Sequence, residues 1–191
     1  EKPAGRMPIK TTKLPIERAD ALIQRIAPQI QNGAKVFWVC PLVAESETVD
    51  IMAAESRFNE LNKHFPHTGL CHGQMDKKMR DKVMNEFADE NSKMRVLVST
   101  TVIEVGIDVP NAVIMVIENA ERFGLSQLHQ LRGRIGRGTE KSTCIMISDA
   151  QNEETERRLK ILASTTDGFK IADEDLKLRG PGDFFGSRQH G

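Results

Sequence analysis

Eight residues in the second half of the chain, Gln130-Leu131-Arg132-Gly133-Arg134-Ile135-Gly136-Arg137, form the pattern Q-x-x-G-R-x-G-R. If the segment is helical, Gln130, Arg134 and Arg137 fall at i, i+4 and i+7 and converge on one face. Gly133 and Gly136 are poor choices for merely stabilising a basic helix, but they permit close backbone approach beneath it. Guanidinium groups fixed at an edge are what phosphoryl transfer uses to neutralise charge on a γ-phosphate, an effect of roughly 10³ to 10⁵ in rate. A second segment, Ser99 to Pro110, directly follows an apolar run. Its hydroxyls, with free backbone N–H groups at a strand's carboxyl end, suit a phosphodiester. Within it, Gly106-x-Asp108 offers a carboxylate behind a tight turn, placed to accept from a ribose hydroxyl.

Two other stretches imitate nucleotide motifs. Gly136 to Ser142 (GRGTEKS) lacks the glycine that a P-loop carries before its lysine; Glu140 stands there and would repel a phosphate. Asp173-Glu174-Asp175 has no long hydrophobic strand before it and no P-loop upstream, and is better explained as an acid-rich helix start. The chain is therefore expected to hold a nucleotide-type sheet without the parts that grip triphosphate and magnesium.

The elements that must position these residues alternate. Apolar spacing over Ile16 to Asn32 predicts a helix ended by Asn32-Gly33, with Pro28 kinking or breaking its last turns. Val36 to Cys40 is an apolar run too short for a helix and reads as a strand buried on both faces. Helices are expected at 47–63, at 76–88 with Met79, Val83 and Phe87 on one face, and at 126–134. Strands are expected at 68–72, 94–99, 113–117 and 143–147. Strands alternating with helices imply right-handed crossovers and a three-layer α/β sandwich around a mostly parallel sheet, with ligands gathering at the strands' carboxyl ends. Residues 1–14 read as a connector with a β-prone piece at Ile9 to Thr12. After Asp149 the pattern becomes a charged helix at 153–163, a short one at 173–178, and a polar loop with four glycines over 179–191.

At 191 residues, one main domain is expected. No apolar run approaches the roughly 20 residues of a membrane span, and no signal peptide is legible at the start, so the expected compartment is the cytoplasm. Lys plus Arg and Asp plus Glu are both 27, so any nucleic-acid contact must come from a local patch. Cys40, Cys71 and Cys144 sit singly in apolar stretches and are expected to be buried, reduced thiols without a metal. The chain opens at Glu1 without Met and closes inside a glycine-rich polar segment, as an excised fragment would.

Together, the segment Thr100 to Ala112 (TTVIEVGIDVPNA) and the segment Gln127 to Gly138 (QLHQLRGRIGRG) resemble motifs V and VI of superfamily 2 helicases, in the form shared by RecG and the transcription-repair coupling factor. The tail extends the resemblance. Asp167-Gly168-Phe169, then Asp175-Leu176-x-Leu178-Arg179-Gly180-Pro181-Gly182 and Gly186-x-Arg188-Gln189-x-Gly191 are similar to the translocation motif of both families. Phe37-Trp38-Val39-Cys40-Pro41-Leu42 and Gly5-Arg6-x-Pro8 resemble the RecG family specifically, while Asp183-Phe184-Phe185 departs from that family's usual Glu followed by aliphatics.

The resemblance implies a RecA-like second motor lobe over residues 15–150 and a translocation hairpin and loop over 151–191. It implies an arginine finger at Arg137, a second γ-phosphate ligand at Arg134, and a link between ATP and nucleic acid at Gln130. Gly106 and Asp108 would contact the nucleotide, the latter at its ribose, and Thr100 a DNA phosphate. His72-Gly73 would lie at the DNA face with Met75 beneath, unless this is a strand-end turn in which His72 merely caps a helix. Arg158, Arg179, Arg188 and Gln189 would couple lobe motion to pulling on duplex DNA. ATP and Mg²⁺ would be held mainly by a first lobe outside this chain, so the chain alone is expected to be inactive. The implied whole is a monomeric, nucleoid-associated helicase acting on forks and Holliday junctions, with a wedge domain elsewhere in the same parent chain. A coupling-factor translocase and a non-hydrolysing nucleic-acid-binding module are the alternatives.

Overall fold

The computed structural model describes residues 9–42, 46–100, 111–136 and 141–179. Its elements in chain order are β1 (Ile9–Leu14), α1 (Ala19–Gln31), β2 (Lys35–Cys40), α2 (Glu47–His64), β3 (Gly69–Cys71) and α3 (Lys77–Ala88). β4 (Val96–Thr100), β5 (Ala112–Ile117), α4 (Leu125–Arg132), β6 (Ser142–Ile147), α5 (Glu153–Ser164) and α6 (Gly168–Arg179) follow. The strands form one sheet in the order β1-β6-β5-β2-β4-β3, parallel at every pairing.

Alternation along each strand explains the three layers. Phe37, Val39, Met115 and Ile117 point to one face, where they meet Phe87, Leu128, Leu131, Leu159 and Leu162 of α3, α4 and α5. Val36, Trp38, Val98 and Val116 point to the other, against Leu22, Ile23, Ile26 and Leu61 of α1 and α2. Every residue of β2 is buried, as a central strand covered on both sides requires. The three-layer, mostly parallel RecA-like α/β fold, with a helical hairpin after it, is thus the observed architecture. None of the helices among the described residues is long and apolar enough to cross a membrane.

Several expectations need correcting. The piece at Ile9 to Thr12 extends to Leu14 and is the sheet's edge strand beside β6, so part of the 1–14 connector belongs to the sheet. Pro28 does not break α1: the helix continues to Gln31, and Asn32 N donates back to the Pro28 carbonyl at 3.1 Å. Met79 is 47% exposed and does not share the inner face with Val83 and Phe87. Asp173-Glu174-Asp175 lies inside α6, which begins five residues earlier than expected, because the Asp167 carboxylate accepts from the Phe169 and Lys170 amides at 2.9 and 3.4 Å and starts the helix there. Lys177 pairs with Asp173 and Glu174, and the buried Asp175 accepts from Ser126 of α4. The three cysteines are free and buried, as expected.

Candidate functional site

A helix that joins two parallel strands runs back against them, so its last residues lie beside the strands' amino ends. That rule governs α4. Its final turn leads into Gly136, whose amide donates to the carbonyl of Ala112, the first residue of β5, at 3.1 Å. Gly136 also abuts Ser142 and Ile9, the first residues of β6 and β1. Gln130 and Arg134 therefore lie at the amino edge, away from the carboxyl ends of the strands where ligands are expected to gather. The helix ends at Arg132 rather than continuing to Arg134, so the i, i+4, i+7 convergence is not carried by a continuous helix. Gln130 is exposed on the last turn, and Arg134 is half-buried in the turn beyond it.

Gly136 is demanded twice over. Its φ is +73°, and a Cβ there would meet Ser142 Oγ at 2.5 Å. The edge offers a guanidinium and a carboxamide, donors that fit anionic phosphate oxygens; by donor chemistry this set fits the phosphate end of a nucleotide and not a metal ion.

Arg132, for which the motif spacing suggests no role, is the buried hub of the same helix. It is 2% exposed. Its Nη1 donates to the Leu162 carbonyl at 2.5 Å and to Thr11 Oγ1 at 3.1 Å, and its Nη2 donates to the Thr165 carbonyl at 2.7 Å and lies 3.1 Å from His129 Nδ1. No carboxylate takes part among the described residues, and burial pushes the guanidinium pKa down. The Leu162 and Thr165 carbonyls belong to the end of α5, where a cation is favoured by the helix dipole. At the other end of α4, Ser126 Oγ donates to Asp175 at 3.1 Å. The α5–α6 hairpin is thus bonded to both ends of the helix that carries Gln130. The signal that could have found Arg132 is its place among Leu125, Leu128 and Leu131 on the helix's buried side.

The carboxyl edge holds the other candidates. Thr100 ends β4, is 1% exposed, and its hydroxyl finds no partner among the described residues. His72 follows β3, and its Nδ1 accepts from the Gln74 amide at 3.2 Å, with Met75 N donating to the His72 carbonyl. The ring thus caps the turn before α3 and not the helix itself, whose N-cap is Asp76, accepting from the Met79 amide at 2.8 Å. Gly73 lies in the same turn. Arg158 does not reach outward: its side chain is 13% exposed and donates to the Glu121 carbonyl at 2.9 Å, docking α5 against the 3₁₀ turn Ala120–Arg122.

Also at this edge, Glu118 accepts from Trp38 Nε1 at 2.5 Å and from Arg57 Nε at 2.6 Å, while Arg57 lies over the Trp38 ring. This cluster ties α2 to the ends of β2 and β5 and has no sequence signal, since its members lie far apart along the chain. Burial is the largest cause of raised thiol pKa values at all three cysteines: Cys40 well above its ordinary value, Cys71 up to about 11 and Cys144 up to about 12. None is a thiolate nucleophile near neutral pH. Gly106, Asp108, Arg137, Arg188 and Gln189 lie outside the described residues, and Arg179 closes α6.

Comparison with known proteins adds to this geometry. The sequence model for the helicase conserved C-terminal domain matches residues 17–139, and that for ATP-dependent DNA helicase RecG, domain 3, C-terminal, matches residues 165–191. The ATP-dependent DNA helicase RecG of Thermotoga maritima is 46% identical over 194 residues, covering 100% of this chain and 25% of its own length. That of Bacillus subtilis is 44% identical over 194 residues, covering 100% of this chain and 28% of its own. The chain thus spans about a quarter of the length of these relatives. A solved structure of RecG bound to a three-way DNA junction superposes with a TM-score of 0.79 at 44% identity, over 96% of this chain and 24% of that one.

Proposed function

The chain belongs to the helicase conserved C-terminal domain family, in the form carried by RecG ATP-dependent DNA helicases, and from that premise we propose that it is the second motor lobe of a double-strand DNA translocase remodelling stalled forks and Holliday junctions. The observation that carries the reading is the bonded joint between α4 and the α5–α6 hairpin, made by Arg132 and Ser126. A pure binding module has no need to fasten a phosphate-facing helix to an appended hairpin at both ends.

Bound ATP supplies the phosphoanhydride whose cleavage drives the cycle, with Mg²⁺, and both are held mainly by a first lobe of the parent chain. In this chain, Arg137 and Arg134 present guanidinium groups to the γ-phosphate, Gln130 connects that edge to the nucleic-acid side, and Gly106 and Asp108 receive the ribose. Thr100, His72 and Gly73 face DNA at the opposite edge. Arg158 anchors the hairpin from which Arg179, Arg188 and Gln189 act on the duplex. Branched duplex DNA is the substrate partner, and the first lobe and a wedge domain are partners within one monomeric chain.

The test is DNA-stimulated ATP turnover and fork unwinding by the full-length protein. Arg137→Ala lowers turnover by roughly 10³ or more while nucleotide binding stays near wild type, since a finger acts mainly in the transition state. Normal turnover by that variant overturns the reading.

A further inference from the structure

The charge order of α3 runs against its own dipole. Its first six residues, Lys77 to Lys82, hold four basic side chains and one acid, while Glu86 and, just past its end, Asp89 and Glu90 are acidic. The macrodipole favours the opposite order, anions at the amino end and cations at the carboxyl end. Asp76 at the N-cap, accepting from the Met79 amide, is the one concession to that rule. A helix that keeps lysines where its own field disfavours them needs another reason for them.

Position supplies one. α3 follows β3 through the His72 turn, so its basic end sits at the carboxyl edge of the sheet. Burial raises the Cys71 thiol pKa, Arg80 of the same helix lies near enough to lower it, and Asp81 raises it again, so α3 brings charge of both signs to this edge. Lys77 is engaged by Asp81. The Lys78 and Lys82 side chains are exposed, one turn apart on the outer face, and make no hydrogen bond or ion pair among the described residues. Burial of Val83 and Phe87 holds the helix so that this face stays outward.

We propose that Lys78 and Lys82 form a track for the phosphates of a duplex DNA arm, extending the DNA face outward from His72 along α3. This rests on the translocase reading above. Two cations spaced one helical turn apart match consecutive phosphates as point charges, which bind backbone without reading sequence. The track would therefore strengthen grip on any arm and raise the salt dependence of binding.

The experiment measures binding of a labelled three-way junction by the full-length protein across a KCl series, for wild type, Lys78→Glu/Lys82→Glu and Lys78→Gln/Lys82→Gln. In both variants the log–log salt slope is expected to become shallower by roughly 0.9 for each phosphate left without its lysine, and affinity to fall at least tenfold in the glutamate pair. ATP turnover without DNA stays unchanged. Amide exchange protection of α3 is kept or increased, because a carboxylate at the Lys78 position agrees with the dipole. Slopes equal to wild type overturn the track and leave the lysines to an acidic protein surface. Loss of α3 protection in the glutamine pair also overturns it, by making the lysines structural. Wild-type protein that fails to bind the junction at all defeats the translocase reading instead.

Discussion

Replacing Arg132 by lysine tests whether the joint between α4 and the hairpin is held as its geometry indicates. The guanidinium bridges two main-chain carbonyls at the end of α5, Leu162 in its last turn and Thr165 at its C-cap, and reaches Thr11 of β1 as well. A lysine ammonium keeps the charge but is a point donor on a flexible stem, and from this site it satisfies one carbonyl. About two charge-assisted hydrogen bonds disappear, each worth roughly 1.5–3 kcal/mol, and the stranded acceptors stay buried. Part of this is offset because a buried cation without a carboxylate is costly in the wild type too. The net loss is expected near 3 kcal/mol, a large share of the roughly 5–15 kcal/mol that holds a domain together. With a urea m-value of about 2 kcal/mol/M, the midpoint falls by about 1.5 M with m unchanged. A lysine variant within about 0.5 kcal/mol of wild type would show that the carbonyls are satisfied otherwise and would refute the joint.

Burial, followed by the Arg132 charge, holds His129 below its ordinary pKa near 6.5. The unfolded chain therefore binds more protons than the folded one as pH falls below about 6.5, so stability declines from there until the depressed folded value is passed. His129→Gln should flatten that slope in a pH series of urea midpoints, and an unchanged slope removes His129 as its source. Gly136→Ala should cost about 2–4 kcal/mol, from the left-handed φ together with the clash at Ser142, and a thermal midpoint within about 2 °C of wild type contradicts the close approach. In the full-length protein, Gln189→Ala or Arg179→Ala should leave DNA-dependent ATP hydrolysis largely intact and impair fork unwinding; parallel losses on the same preparations would sink the coupling role of the tail.

The features legible in the sequence are those that depend on neighbours along the chain. β2 can be read from the run Val36 to Cys40 because burial on both faces removes alternation. α6 reads too short because Asp167-Gly168 looks like a turn, and its capping role shows only once the Phe169 amide is seen on the Asp167 carboxylate. Gln130 and Arg134 stand out as a pattern, but their place at the amino edge of the sheet does not. The general rule for open α/β sheets concerns loops that leave strands, and these residues sit where a helix returns. The bonds of Arg132 and of the Glu118 cluster are hidden for a different reason: helix spacing puts Arg132 on the buried side, but the partners lie 30 and 61 residues away, at Leu162 and Arg57, and no local spacing announces them.

The two edges are separated by strands of five or six residues, about 17–20 Å, too far for any side chain at one edge to touch the other. A change at the amino edge must travel through a body that spans the sheet. The α5–α6 hairpin has that form. α5 leaves β6 at the carboxyl edge, where Arg158 grips the Glu121 carbonyl, and ends at the amino edge against Arg132. α6 starts beside His129 and returns along α4, bonding Ser126 through Asp175 one turn before its end. The hairpin is fixed to α4 at both ends, so a tilt of α4 turns it as one piece rather than bending it, packed helices being stiff against local deformation. On the proposed function, this sends the motion imposed at Arg134 to the point where α6 ends, on the same side of the sheet as Thr100 and His72. The nucleotide and the DNA can then share one lobe without touching each other across the sheet.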